Sequence, residues 1–113
     1  MKQINIDIET FSSVDLSKAG VYRYADSSDF EILLFGYAVD MGEVQAIDLA
    51  SGEKIPEEII RGLSDPAVLK FAYNAQFERV CLGRYLGHTL DPASWRCTMV
   101  ESTRWMPAVM ASS

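Results

Sequence analysis

The sequence is poor in metal-binding and disulfide-forming side chains: one histidine and two cysteines in 113 residues. His88 has no cluster of cysteines or further histidines around it, which argues against a zinc site. Cys81 and Cys97 are too few for a disulfide framework, so buried, reduced thiols are expected. Basic residues are also scarce. Ten Lys and Arg face sixteen Asp and Glu, a net charge of −6. That balance excludes capture of nucleic acid by bulk charge. A phosphate backbone meeting this surface needs a local mediator, such as a metal ion or a positively charged neighbouring domain. Long hydrophobic runs are absent too. The longest, Ile32 to Val39, is broken by Gly36, whereas a membrane-spanning helix takes roughly 20 apolar residues. The start, Lys2-Gln3-Ile4-Asn5-Ile6-Asp7, lacks the apolar stretch of a signal peptide, so a cytoplasmic location is expected.

What is present reads as one globular domain, with 49% hydrophobic and 23% charged residues. Residues 3–9 alternate, with Ile4, Ile6 and Ile8 on one side and Asn5, Asp7 and Glu9 on the other. Period two is a strand. Residues 12–28 are polar and irregular and read as a loop or a short helical turn. Further strands are expected near 31–39, 44–48, 68–72 and 95–98, the second and third forming a hairpin. Pro56, Glu57 and Glu58 suit a helix start, and Asp65-Pro66 stops that helix. Asn74 is a good N-cap, and Phe77, Val80, Cys81 and Tyr85 lie at helical spacing, which predicts a helix from Ala75 to Leu86 ended by Gly87. Residues 100–110 begin another helical pattern, interrupted by Pro107. A hairpin followed by alternating strands and helices implies a mixed α/β sheet with helices over its faces.

Two segments carry chemistry. Asp7 and Glu9 leave one face of a strand near its end, where their charges repel. A divalent cation resolves that repulsion, and hard oxygen ligands suit magnesium or manganese. A D-x-E is common by chance, and its plain alternative is a solvated strand face. In Asn74-Ala75-Gln76-Phe77-Glu78 a cap is followed by an aromatic residue and a carboxylate in the first helical turn. Its plain alternative is a core phenylalanine and a charge that complements the helix dipole. The two segments gain weight together. The strand at 68–72 can lie beside the first strand, which brings its helix start to the end that bears Asp7 and Glu9. Asp7, Glu9 and Glu78 then converge on one shared ion.

Asp7-Ile8-Glu9-Thr10-Phe11-Ser12-Ser13, Lys18-Ala19-Gly20-Val21-Tyr22-Arg23-Tyr24, Phe30-Glu31-Ile32-Leu33-Leu34-Phe35, Tyr73-Asn74-Ala75-Gln76-Phe77-Glu78 and Trp95-Arg96-Cys97-Thr98-Met99-Val100 resemble the N-terminal 3′→5′ exonuclease domain of polymerase I-type (family A) DNA polymerases, especially those of phages and prophages. The resemblance runs from residue 4 to about residue 101. It implies a ribonuclease H-like fold of the DEDD exonuclease superfamily, a mixed five-stranded sheet with flanking helices. It implies that Asp7 and Glu9 form the first exonuclease motif and bind the catalytic Mg²⁺ or Mn²⁺, and that Asn74, Phe77 and Glu78 form the second. It further implies that Thr10 and Phe11 touch the terminal nucleotide of a single-stranded DNA 3′ end, and that Phe77 packs against its sugar or base unless it serves the core. The reaction implied is two-metal hydrolysis of the 3′-terminal phosphodiester.

The third motif of that family, an aromatic or histidine residue followed by a fourth metal-binding aspartate, is missing. No aspartate follows Asp91, and the one later carboxylate, Glu101, does not match the position. Residues 1–113 therefore read as a single partial exonuclease domain, weak or inactive alone. An alternative is a catalytically dead ribonuclease H-like protein that binds DNA or a protein. On either reading apolar surface stays open on one sheet face, for contact with the remainder of a polymerase or with a second copy.

Overall fold

The computed structural model describes residues 1–98. The helical pattern at 100–110 and Glu101 lie outside the described residues. The alternating isoleucines form β1 (Gln3–Phe11), which continues past Glu9. Two short helices follow, α1 (Leu16–Ala19) and α2 (Val21–Asp26), where sequence reading expected a loop or a single turn. Asp15 starts α1, its carboxylate accepting from the Ser17 amide at 3.0 Å and the Ser17 hydroxyl at 2.7 Å. Gly20 separates the two helices at φ 86°, a conformation that costs glycine least.

The remaining strands and α-helices are β2 (Glu31–Val39), β3 (Gln45–Asp48), α3 (Glu57–Ser64), β4 (Leu69–Ala72), α4 (Ala75–Leu86) and β5 (Trp95–Cys97). The five strands form one mixed sheet in the order β3-β2-β1-β4-β5, with β1 at its centre. β1 runs antiparallel to β2 and parallel to β4, and β4 runs parallel to β5. The expected strands are all present, within a few residues of their predicted bounds.

The core lies on the isoleucine face of β1. Ile4, Ile6 and Phe35 from the sheet meet Ala25 of α2, Ile59 and Leu63 of α3, and Cys81 and Leu82 of α4. These buried helix residues come from the helices that flank the sheet, as expected. Tyr85, expected on the apolar side of α4, is 43% exposed. Lys70 points into the core from β4. Its Nζ donates to the Asp65 carbonyl at 2.8 Å and lies 6.0 Å from the centre of the Trp95 ring. Among the described residues no helix is long and apolar enough to cross a membrane.

Candidate active site

Strand alternation puts Asp7 and Glu9 on the open face of β1, and both are exposed. Asp7 pairs with Gly36 of β2. A Cβ at position 36 would lie 3.4 Å from the Asp7 carbonyl oxygen and 3.9 Å from its Cβ. The glycine thus keeps the space beside Asp7 clear. Asp7, Glu9, Leu34, Gly36 and Ala46 share the walls of a shallow cleft of about 460 Å³.

The parallel pairing of β1 with β4 delivers the second segment. Ile6 lies opposite Ala72, so the chain leaves β4 beside Asp7, turns through Tyr73 and Asn74, and enters α4. Asn74 occupies the N-cap position as expected, but its side chain caps no amide. Glu78, whose plain alternative to a metal ligand was a charge complementing the helix dipole, is buried, 5% exposed. Burial pushes its carboxyl up from 4.5 to about 7, against the stabilising amides of Asn74 and Glu78, and the charge of Asp7 pushes in the same upward direction. The helix-borne carboxyl and the strand-borne carboxylate therefore sense each other. One turn along α4, burial first and then the Glu78 charge push the Cys81 thiol up to about 12. Cys81 is an inert core residue rather than a nucleophile, whereas Cys97, also expected to be buried, is exposed at the edge strand β5.

Thr10 and Phe11 follow a bulge that shifts the β1–β2 register between Glu9 and Thr10. The extra residue, Leu33, lies in β2, so the alternation of β1 continues through Thr10 and Phe11. The Thr10 hydroxyl lies 2.8 Å from the Tyr24 hydroxyl of α2, while Phe11 is 49% exposed. Phe77 is half-buried against the core, its ring centre 5.9 Å from that of Tyr24. Tyr24 also meets Phe30 edge-on at 6.0 Å. Tyr24 thus joins the Thr10 segment to the Phe77 segment, a role that sequence reading did not assign. The Tyr22-Arg23-Tyr24 step was the available signal, but it lay in a stretch read as a loop or a short helical turn.

The donor set suits a hard divalent cation, since all three candidate ligands are carboxylates. Burial of one of them next to the charge of another is the electrostatic situation a cation relieves. As the side chains stand, the expected three-carboxylate cluster is not assembled. Among the described residues no three His, Cys, Asp or Glu side chains are grouped closely enough to hold a metal ion. The physical reason is that Glu78 is drawn inward with α4, whereas Asp7 and Glu9 face outward from the sheet.

Comparison with solved structures places this architecture. The Brucella melitensis protein NrnC superposes with a TM-score of 0.61 at 19% identity, over 91% of this chain and 44% of that one. The EXD2 exonuclease domain superposes with a TM-score of 0.54 at 17% identity, over 99% of this chain and 52% of that one. The fold is that of the ribonuclease H-like exonucleases. NrnC has also been solved bound to pGG and with bound Mg²⁺. No family model matches the chain. A DNA polymerase of Bacillus phage SP02 is 55% identical over 103 residues, which is 91% of this chain. The chain spans 16% of that polymerase's length. The ribonuclease H-like exonuclease fold and the polymerase relative together support an exonuclease-type domain.

Proposed function

We propose that the chain is a 3′→5′ exonuclease domain of the proofreading type, acting on the 3′ end of single-stranded DNA. The observation that carries this reading is the β1–β4 pairing, which sets the buried Glu78 within electrostatic reach of Asp7. Two distant segments with little charge to spare for one another are brought together at the end of the central strand. A structural role alone gives no reason for burying a carboxyl there.

In this reading Asp7, Glu9 and Glu78 are the residues that would hold Mg²⁺ or Mn²⁺. Bound cations of this kind lower the pKa of water and stabilise the charge on a leaving oxygen. Asp7 and Glu9 stand on the open cleft, where the terminal phosphate can approach. Gly36 leaves that approach clear. Thr10 and Phe11 orient the terminal nucleotide, Phe11 offering an exposed ring for stacking. Phe77 and Asn74 border the same end of the sheet and position the terminal sugar. A water oxygen bonds to the terminal phosphorus, the bond from phosphorus to the preceding 3′ oxygen breaks, and a 5′-mononucleotide leaves behind a new 3′ hydroxyl.

The 113 residues supply three carboxylates at the two matching segments and no aspartate after Asp91. Misplacement by about 1 Å can cost about a hundredfold in such chemistry, so this chain alone is a slow enzyme. The test uses a 5′-labelled single-stranded oligonucleotide, manganese and excess protein. Slow shortening from the 3′ end is expected, abolished by Asp7→Ala and by Glu78→Gln. Shortening that survives Asp7→Ala, or no shortening with the wild type at any protein excess, overturns the reading.

A further inference from the structure

We propose that the cleft between α2 and α4 binds the phosphates of the nucleic-acid strand upstream of its 3′ end. This deepens the exonuclease reading and rests on it for the identity of the strand. The cleft encloses about 650 Å³, and Tyr22, Arg23, Arg79, Arg84 and His88 line it. Three of the ten basic residues of an acidic chain therefore open onto one cleft. Asp26 also lines it, yet among the described residues none of the three guanidinium groups has an ion-pair partner within 4.0 Å. Among the described residues the one ion pair within 4.0 Å joins the Met1 amino group to Asp40. Clustered cations repel, and a solvated protein surface gains nothing from holding them together without an anion.

The arrangement is built rather than incidental. Arg79 is anchored, its Nη1 donating to the Leu90 carbonyl at 3.1 Å. Arg79 and then Gln76 hold the exposed Tyr22 phenol below its ordinary pKa, so Tyr22 lies beside the same guanidinium. Guanidinium has five donors, and most of those of Arg79 remain for a further acceptor. The cleft shares helix α4 with the candidate site. Arg79 directly follows Glu78, and Arg84 lies five residues further along α4, about 7.5 Å of helix axis. That span exceeds a single phosphate group and suits a strand running away from Glu78 along the helix. Arg side chains recognise phosphate through paired N–H donors. This local cluster supplies what the net charge of −6 denies the chain as a whole.

The test is the fluorescence anisotropy of a labelled oligothymidylate with the full chain, in EDTA so that no cation bridges the carboxylates. Arg23 and Arg84 are both exposed, so the double variant Arg23→Glu/Arg84→Glu leaves the core untouched, which circular dichroism checks. Lys54→Glu/Arg61→Glu is the charge-matched control away from the cleft. The cleft variant should bind roughly tenfold or more weakly, with a salt slope lower by about 1 to 1.5. The control should stay within about threefold of the wild type, since long-range charge is screened by salt. Equal losses in both variants, no loss in either, or no binding by the wild type at low salt overturn the proposal. Equal displacement of the oligonucleotide by polyglutamate at matched charge also overturns it, in favour of an acidic protein partner. Asp7→Ala should retain binding in EDTA. Binding that depends on the cleft without any nuclease activity sinks the exonuclease reading and leaves the cleft. Activity with no cleft dependence of binding does the reverse.

Discussion

The hydroxyl of Tyr24 lies 2.8 Å from Thr10 Oγ1 while its ring packs against Phe77, centre to centre 5.9 Å. One side chain of α2 thereby ties the end of the central strand to the first turn of α4. Tyr24→Phe keeps the contacts with Phe77 and Phe30 and removes the hydrogen bond. It should lower stability by about 0.5–1.5 kcal/mol, read by urea denaturation. If Thr10 orients the terminal nucleotide, the same variant should slow 3′ shortening several-fold more than its stability loss accounts for. Tyr24→Leu, which loses the ring contacts as well, should destabilise the fold further.

The Glu78 carboxyl gives stability a specific pH dependence. Its folded value of about 7 lies above the ordinary 4.5, so between those values the folded state binds more protons than the unfolded one. Stability from this group is full below about pH 4.5 and is lost as pH rises through 7. The loss amounts to at most about 3 kcal/mol. Asp15, Asp29 and Asp40 are shifted downward by their hydrogen bonds and titrate below this window. In EDTA, wild type should lose stability from pH 5 to pH 8, and Glu78→Gln should flatten that slope. A wild-type slope that persists in Glu78→Gln refutes the assignment.

Gly36 gives a graded test of the open space over Asp7. A Cβ there meets the Asp7 carbonyl oxygen at 3.4 Å, a tight but tolerable contact. Gly36→Ala should fold with near-native stability, because a strand interior disfavours glycine. Gly36→Leu extends over the cleft that Asp7 and Glu9 line. It should fold but shorten DNA more slowly than Gly36→Ala by roughly tenfold or more. Equal rates for the two variants show that the cleft is not the approach to the carboxylates.

The sheet was legible because its signals are local and repeated. Ile4, Ile6 and Ile8 alternate with Asn5, Asp7 and Glu9, and the strand-to-helix step at Asn74 has recognisable chemistry. Those two patterns alone placed β1 beside β4 and brought α4 to the right end. α1 and α2 were not legible because they bury almost nothing: α1 has no buried residue and α2 buries Ala25. Periodicity has no apolar stripe to report in such helices. Lys70 was read as part of a strand without a side, since its amine finds the Asp65 carbonyl only after folding. The inward position of Glu78 was hidden for a similar reason. A carboxylate in the first turn looks like a partner of the helix dipole, and only the packing of α4 against the sheet reveals that it is buried. The Thr10–Tyr24 contact joins residues 14 apart across the β1–α2 connection, which no local pattern announces.

Manganese binding tests most directly whether Asp7 and Glu78 share a divalent cation. Titration of the full chain, followed by calorimetry or by the loss of the free Mn²⁺ resonance signal, should show weak binding at pH 8 that Asp7→Asn and Glu78→Gln each reduce roughly tenfold or more. Affinity should fall as pH drops through 7, because protons compete for Glu78. Equal binding by the wild type and both variants at pH 8 contradicts the shared site.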